Sequence, residues 1–366
     1  MNGKPLTWSR LERILSGTDN QPADPPHLLK NKPLSADPSQ KSKGSPPITS
    51  RKRGANTTLD GRDYVPYAEL HACSTYSFLR GASSPAEMVE VAAELGLEAL
   101  ALVDRDGLYG AVQFAEAAAD SGIATVFGAE LTLSPPTTAS GNEKILTVLC
   151  RGAEGYRRLS RMISQAHMCT GKKNIVHYPP LEDLAQYGGN HWIVLADHSW
   201  TPHLEELIKH FPQVVVELDY LLTPDDADRH EEQLEAADRL GLAAVCSSAA
   251  VAARPKNGRL AGAKTALRYR KNIEDADPYT HPLGGTYLRS GAEMFNPDHP
   301  ELTMNTCTVA RDCAFPLTTI TPDLPDWPVP EGHTEMTWLA HIVEERGTVR
   351  YGSRETHPAV WAQIDH

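Results

Sequence analysis

The sequence predicts an α/β protein, a distorted parallel β/α barrel with a disordered amino-terminal extension and an α-rich carboxy-terminal connector. Three observations lead there. Beyond Tyr64, short continuous apolar runs alternate with helical patterns. At least seven of those runs read as buried strands, more than an open sheet of this length favours. Before Tyr64, large apolar side chains are sparse.

In residues 1–17, Leu6, Leu11, Ile14 and Leu15 fall around Trp8 at roughly helical spacing, which predicts a short amphipathic helix. Residues 18–63 are rich in Pro, Ser, Lys and Asn and read as a disordered basic linker; its Arg51-Lys52-Arg53 run could touch DNA phosphates or be a solvated cluster.

Residues 64–270 form the predicted barrel. Residues 67–71 read as a strand. Ser84, Pro85 and Glu87 supply a cap, a first-turn proline and an acidic first turn for a helix that ends at Gly96. Residues 99–104 are apolar, too short for a helix, and run into the Asp106-Gly107 turn. A helix at 111–121, strands at 124–133 and 145–150, and a helix at 156–166 follow. Further strands are expected at 192–196, 214–218 and 243–246, separated by helices at 202–210 and 226–240. Residues 271–366 read as a connector. It is irregular over 284–320, carries four prolines over 322–330, and is helical over 335–351 and again at the chain's last residues.

No stretch approaches the roughly 20 apolar residues of a membrane helix, and residues 1–17 lack a signal-peptide centre, so the expectation is a cytoplasmic protein without membrane contact. Six cysteines without a C-x-x-C pair predict reduced, mostly buried thiols rather than a zinc ribbon or a disulfide scaffold. Residues 1–60 hold ten Lys and Arg against five Asp and Glu, a balance of +5. The whole chain carries −12, which leaves −17 for residues 61–366. A surface so acidic is a poor place for nucleic acid to lie.

In parallel barrels the functional side chains sit at the carboxyl ends of strands. His71 and Cys73 fall there, as do Asp104, Glu130, Asp197, His198, Glu217 and Asp219. Nitrogen, sulfur and carboxylate converging at one mouth would suit zinc or manganese. Polar residues also end strands simply because loops begin there. For His71 and Glu130 both readings stand; for Asp197, His198, Glu217 and Asp219 the structural one is preferred. No phosphate-binding glycine loop, nucleophile elbow or serine triad is present.

The run from Tyr67 to Ser83, with the phrases Ala101 to Gly110 and Thr125 to Glu130, resembles the PHP (polymerase and histidinol phosphatase) domain of bacterial C-family DNA polymerases. The phrases Gly155 to Ser160, Pro282 to Gly285, Leu288 to Gly291, Pro330 to Glu335 and Ala362 to His366 are similar to the error-prone branch, of the polymerase III alpha-subunit type. The resemblance covers about residue 64 to the end. It implies a PHP-type barrel and a family role in DNA-directed DNA synthesis during repair and damage-induced mutagenesis. Zn2+ or Mn2+ is implied in intact PHP sites, and Mg2+ in a palm domain expected beyond His366. DNA is then an indirect partner, reached through the polymerase body or the basic linker, with other mutagenesis proteins as further partners.

The departures from the family pattern point to a retired site. The resemblance places ligands at the positions of Cys73, Arg80, Arg105, Ile145 and Val251, so only His71 and Glu130 remain, with Cys73 as a substitute. His71, Cys73 and Glu130 are therefore expected as a degenerate metal remnant, with no cofactor and no catalytic residue in this chain. The runner-up is a metal-dependent phosphoesterase or exonuclease of the PHP superfamily built on the same three residues.

Overall fold

The computed structural model describes residues 64–133, 144–171, 175–276, 279–281, 286–320 and 327–365. The helix expected at 1–17 and the linker at 18–63 lie outside these residues.

Seven strands form one sheet in chain order: β1 (Ala68–Ala72), β2 (Ala99–Arg105), β3 (Ala124–Thr132), β4 (Ile145–Cys150), β5 (Trp192–Ala196), β6 (Val214–Asp219) and β7 (Ala244–Ser247). Each neighbouring pair is parallel except the two that involve β4, which runs antiparallel to both β3 and β5. The expected parallel sheet is thus interrupted at one strand. Thr132 and Ile145 are close in sequence, and an antiparallel return needs only a turn where a parallel one needs a crossover, usually helical.

The sheet curls until its ends meet. Ala72 bridges Ala250 just beyond β7, with Ala250 N–H donating to His71 O at 2.9 Å and Cys73 N–H to Ala250 O at 2.8 Å. Side chains alternate along the strands, so each strand feeds two cores. Leu70, Ala101, Val103, Val126, Leu195 and Val245 fill the inner one. Leu100, Leu102, Phe127, Val194 and Val216 face the helices.

Those helices are α1 (Pro85–Glu94), α2 (Ala111–Ala119), α3 (Gly152–Met168), α4 (Leu181–Gly188), α5 (Leu204–His210), α6 (Asp226–Leu240) and α7 (Gly258–Arg268). The cap read from the sequence is in place: Ser84 Oγ accepts Glu87 N–H at 3.2 Å at the start of α1.

After the short α8 (Gly291–Met294), α9 (Glu301–Cys313) closes the floor of the barrel within the stretch that looked irregular. Cys307, Val309, Ala310 and Cys313 join the inner core. Thr306 Oγ1 accepts Ala68 N–H at 3.0 Å, and Asn305 Nδ2 donates to Ala244 O at 2.8 Å, so α9 ties off the first residues of β1 and β7. The last two helices, α10 (Glu335–Tyr351) and α11 (Pro358–Asp365), are clasped to each other. Trp361 lies against Gly347, where a Cβ would come within 2.5 Å of the ring, and Arg354 pairs with both Glu344 and Asp365.

Candidate functional site

With β4 reversed and α9 on the floor, the mouth of the barrel is the end where the parallel strands finish. Glu130 continues the inward series of β3 and Glu217 that of β6. The register of β1 against β2 shifts between Glu69 and Ala72, and His71 meets both carboxylates. Its Nδ1 lies 2.8 Å from Glu217 Oε1 and its Nε2 lies 2.9 Å from Glu130 Oε1. Arg105, the last residue of β2, donates from Nε to Glu130 Oε2 at 2.7 Å and from Nη1 to Thr132 Oγ1 at 3.1 Å. Ser247 Oγ, at the end of β7, donates to Glu217 Oε1 at 2.5 Å. One polar chain therefore runs across five strands, from Thr132 through Arg105, Glu130, His71 and Glu217 to Ser247.

Electrostatics follow from that chain. Burial opposes a charge on His71, yet the Glu217 charge and the bonds to Cys73, Glu130 and Glu217 hold it well above the ordinary histidine range. Burial would likewise raise the Glu130 carboxyl; the Arg105 charge, the His71 bond and the Arg80 charge hold it well below the ordinary carboxylate range instead. Cys73, buried beside them, donates from Sγ to Val103 O at 3.2 Å, and burial with the Glu130 charge pushes its thiol up to about 11.

One ligand atom each from His71, Cys73 and Glu130 lies within 4.8 Å of the others, close enough to share an ion. The state of the three residues does not fit one. A metal needs a neutral imidazole nitrogen, a thiolate and a free carboxylate oxygen. Both ring nitrogens of His71 face carboxylates, Cys73 Sγ is engaged with Val103 O, and Glu130 has one oxygen on His71 and the other on Arg105.

The remaining strand-end candidates separate. Asp104 is buried and accepts Ser74 N–H at 2.7 Å, Ser74 Oγ at 2.8 Å and Ser77 Oγ at 2.6 Å, so it fastens the loop after β1. In that loop Gly81 lies so close to Ser74 that a Cβ would come within 1.9 Å of its carbonyl oxygen. Asp219 pairs with Arg229 at 2.8 Å, Asp197 accepts from its own neighbour Ser199, and His198 reaches Glu232 at 3.3 Å on the surface. Glu217, for which the sequence favoured a structural strand end, is the residue on which His71 rests. Ile145 begins β4 opposite Thr132, and Val251 packs against the small cluster of Ala82, Ala252 and Ala261.

Sequence reasoning missed one buried carboxylate, Glu69. Glu69 accepts Tyr67 OH and His71 N–H, both at 2.8 Å, and Ser248 N–H at 2.9 Å. It also missed the serines that serve the mouth, although the Ser247-Ser248 pair directly after an apolar strand was a visible signal.

A profile of the PHP domain matches residues 69–244. The error-prone DNA polymerase of Corynebacterium efficiens is 46% identical over 373 residues, covering 100% of this chain and 34% of that protein. That of Corynebacterium jeikeium is 47% identical over 378 residues, covering 99% and 31%. Residues 69–244 thus match the PHP domain, and the chain is similar along its whole length to error-prone DNA polymerases. It spans about a third of the length of the curated relatives it matches. An amidohydrolase from Chromobacterium violaceum aligns at a TM-score of 0.40 and 17% identity, covering 51% of this chain and 88% of that one. The six cysteines are free and five of them are buried. Among the described residues no helix is long and apolar enough to cross a membrane.

Proposed function

We propose that the chain is a PHP scaffold of an error-prone DNA polymerase, serving translesion synthesis in repair and damage-induced mutagenesis without performing catalysis itself. The observation that carries the non-catalytic part is the double occupation of Glu130 by His71 and Arg105. The similarity to error-prone DNA polymerases supports the DNA role. On this reading His71, Cys73 and Glu130 are the remnant of a metal site, and the chain holds no cofactor of its own. DNA is reached through the rest of a polymerase or the basic residues 18–63, other mutagenesis proteins are further partners, and the setting is the cytoplasm. The division into a helix at 1–17, a linker at 18–63, a barrel at 64–270 and a connector at 271–366 belongs to the same proposal, with α9 counted as the barrel's floor.

The test is a pair of assays on the purified chain: nucleotide incorporation on a primed template with Mg2+, and digestion of end-labelled single-stranded DNA with Mn2+ or Zn2+. Neither activity is expected. The closeness of His71, Cys73 and Glu130 favours one second reading, a metal-dependent phosphoesterase or exonuclease. Manganese-dependent digestion abolished by His71→Ala would establish it, since three ligands can suffice for a catalytic metal.

A further inference from the structure

Arg105 is as enclosed as the carboxylate it meets: both side chains are 11% exposed, with 2.7 Å between Nε and Glu130 Oε2. A guanidinium so placed is costly unless its donors are satisfied. The fold arranges this at some expense in backbone strain. Asp106 adopts a left-handed φ of +49°, a conformation that aspartate tolerates better than most residues. From there its Oδ1 accepts Thr132 N–H at 2.9 Å and its Oδ2 accepts Thr132 Oγ1 at 2.7 Å, which leaves the Thr132 oxygen directed at Arg105 Nη1. The loop between β2 and α2 thus fixes the residue that fixes the arginine. Arg105 cannot lose its charge at any ordinary pH, so Glu130 always has a cation on one oxygen.

We propose that Arg105 is the resident cation of this mouth: its guanidinium takes the Glu130 oxygen that a divalent ion would need, the barrel is complete without metal, and removing the arginine opens a metal site at His71, Cys73 and Glu130. The inference rests on the scaffold reading above and names the device that maintains it. The energetic logic is substitution of one cation by another. Removing Arg105 takes away the cation paired with Glu130 Oε2, and either a guanidinium or a metal ion can supply a charge there. A neutral side chain cannot.

The experiment compares the purified chain with Arg105→Gln and Arg105→Lys by thermal unfolding in EDTA and in Zn2+ or Mn2+, together with metal analysis after dialysis. The unmodified chain and Arg105→Lys should each unfold at a temperature that EDTA, Zn2+ and Mn2+ leave unchanged, with Arg105→Lys the lower of the two. Arg105→Gln should lose roughly 5 °C or more in EDTA, regain most of it in Zn2+ or Mn2+, and retain metal near one ion per chain. An Arg105→Gln chain recovered only in the presence of Zn2+ supports the proposal equally. If it is recovered in neither condition, Arg105→Gln combined with Glu130→Gln decides: with both charges gone the barrel should fold and ignore metal, and failure to fold in EDTA overturns the proposal. A metal-free parent chain with an Arg105→Gln variant indifferent to metal overturns the role of Arg105 alone. A parent chain that carries metal and loses stability in EDTA overturns the scaffold reading with it.

Discussion

Glu217, fully buried in β6, is the floor on which His71 rests, 2.8 Å from its Nδ1 to Oε1, and Ser247 Oγ donates to the same carboxylate oxygen. A buried imidazole and a buried carboxylate each need the other. Glu217→Ala should therefore cost about 3–5 kcal/mol in urea unfolding, the range for breaking a buried charged pair from one side. Glu217→Gln, which keeps a polar partner for His71 and Ser247, should cost less, about 1–3 kcal/mol. Equal losses for the two variants would contradict this, showing that the charge of Glu217 alone matters and that a neutral polar partner of the same shape gives His71 and Ser247 nothing.

Acidity should affect stability through Asp197. Burial pushes this carboxyl up to about 6 against the bond from Ser199, with the Glu217 and Asp219 charges adding to the rise. A carboxyl raised in the folded state favours folding while protonated; that contribution is complete below its unfolded value of about 4 and is lost as pH rises to about 6. Asp197→Asn needs no proton and keeps an acceptor for Ser199. Its unfolding temperature should match the parent's at pH 4 and exceed it at pH 7.5. A constant difference across that range would show that Asp197 does not titrate as described.

The floor helix offers a test by its polar face. Thr306 Oγ1 accepts Ala68 N–H at 3.0 Å and donates to Thr303 O at 2.6 Å, fully buried. Thr306→Val keeps the shape and leaves a strand donor unsatisfied, at a cost of about 1–3 kcal/mol in urea unfolding. Thr308→Val, on the exposed side of α9, should stay within about 0.5 kcal/mol of the parent. If both variants behave alike, α9 does not seal the barrel.

Much of this barrel was legible in its sequence because its strands are buried on both faces. Continuous runs such as residues 145–150 and 192–196 have no helical reading, and the Ser84 to Glu87 cap marks α1 unambiguously. The floor helix was hard to read, since Leu302 and Val309 are the large apolar side chains of a buried face otherwise made of Thr303, Thr306, Cys307, Ala310 and Cys313, which raise a weak periodic apolar signal. The direction of β4 was hidden for a different reason: an apolar run does not state which way it points. At the site, the candidates His71, Cys73 and Glu130 could be named from strand ends. Pairings could not. That Glu217 carries His71 while Asp104 fastens a loop depends on which face each strand turns inward and on the shifted register between Glu69 and Ala72.

Reversing the departures from the family pattern tests whether the carried-over positions are right. Cys73→His, Arg80→Asp, Arg105→His, Ile145→His and Val251→His together should raise Mn2+ affinity by at least about tenfold in calorimetric titration, which is 1.4 kcal/mol. Val251 packs against Ala82, Ala252 and Ala261, so that substitution should also lower stability, by about 1–3 kcal/mol. Unchanged affinity in a folded variant would mean that the five positions do not converge on one ion.

The claim on which the rest depends is that this mouth is held by its own charges, Arg105 and His71 on Glu130 and His71 on Glu217. Metal content per chain, measured on the purified protein after dialysis against buffer treated to remove free ions, tests it most directly. Far less than one zinc or manganese ion per chain is the predicted result. Near-stoichiometric zinc or manganese that EDTA removes with loss of stability would contradict it.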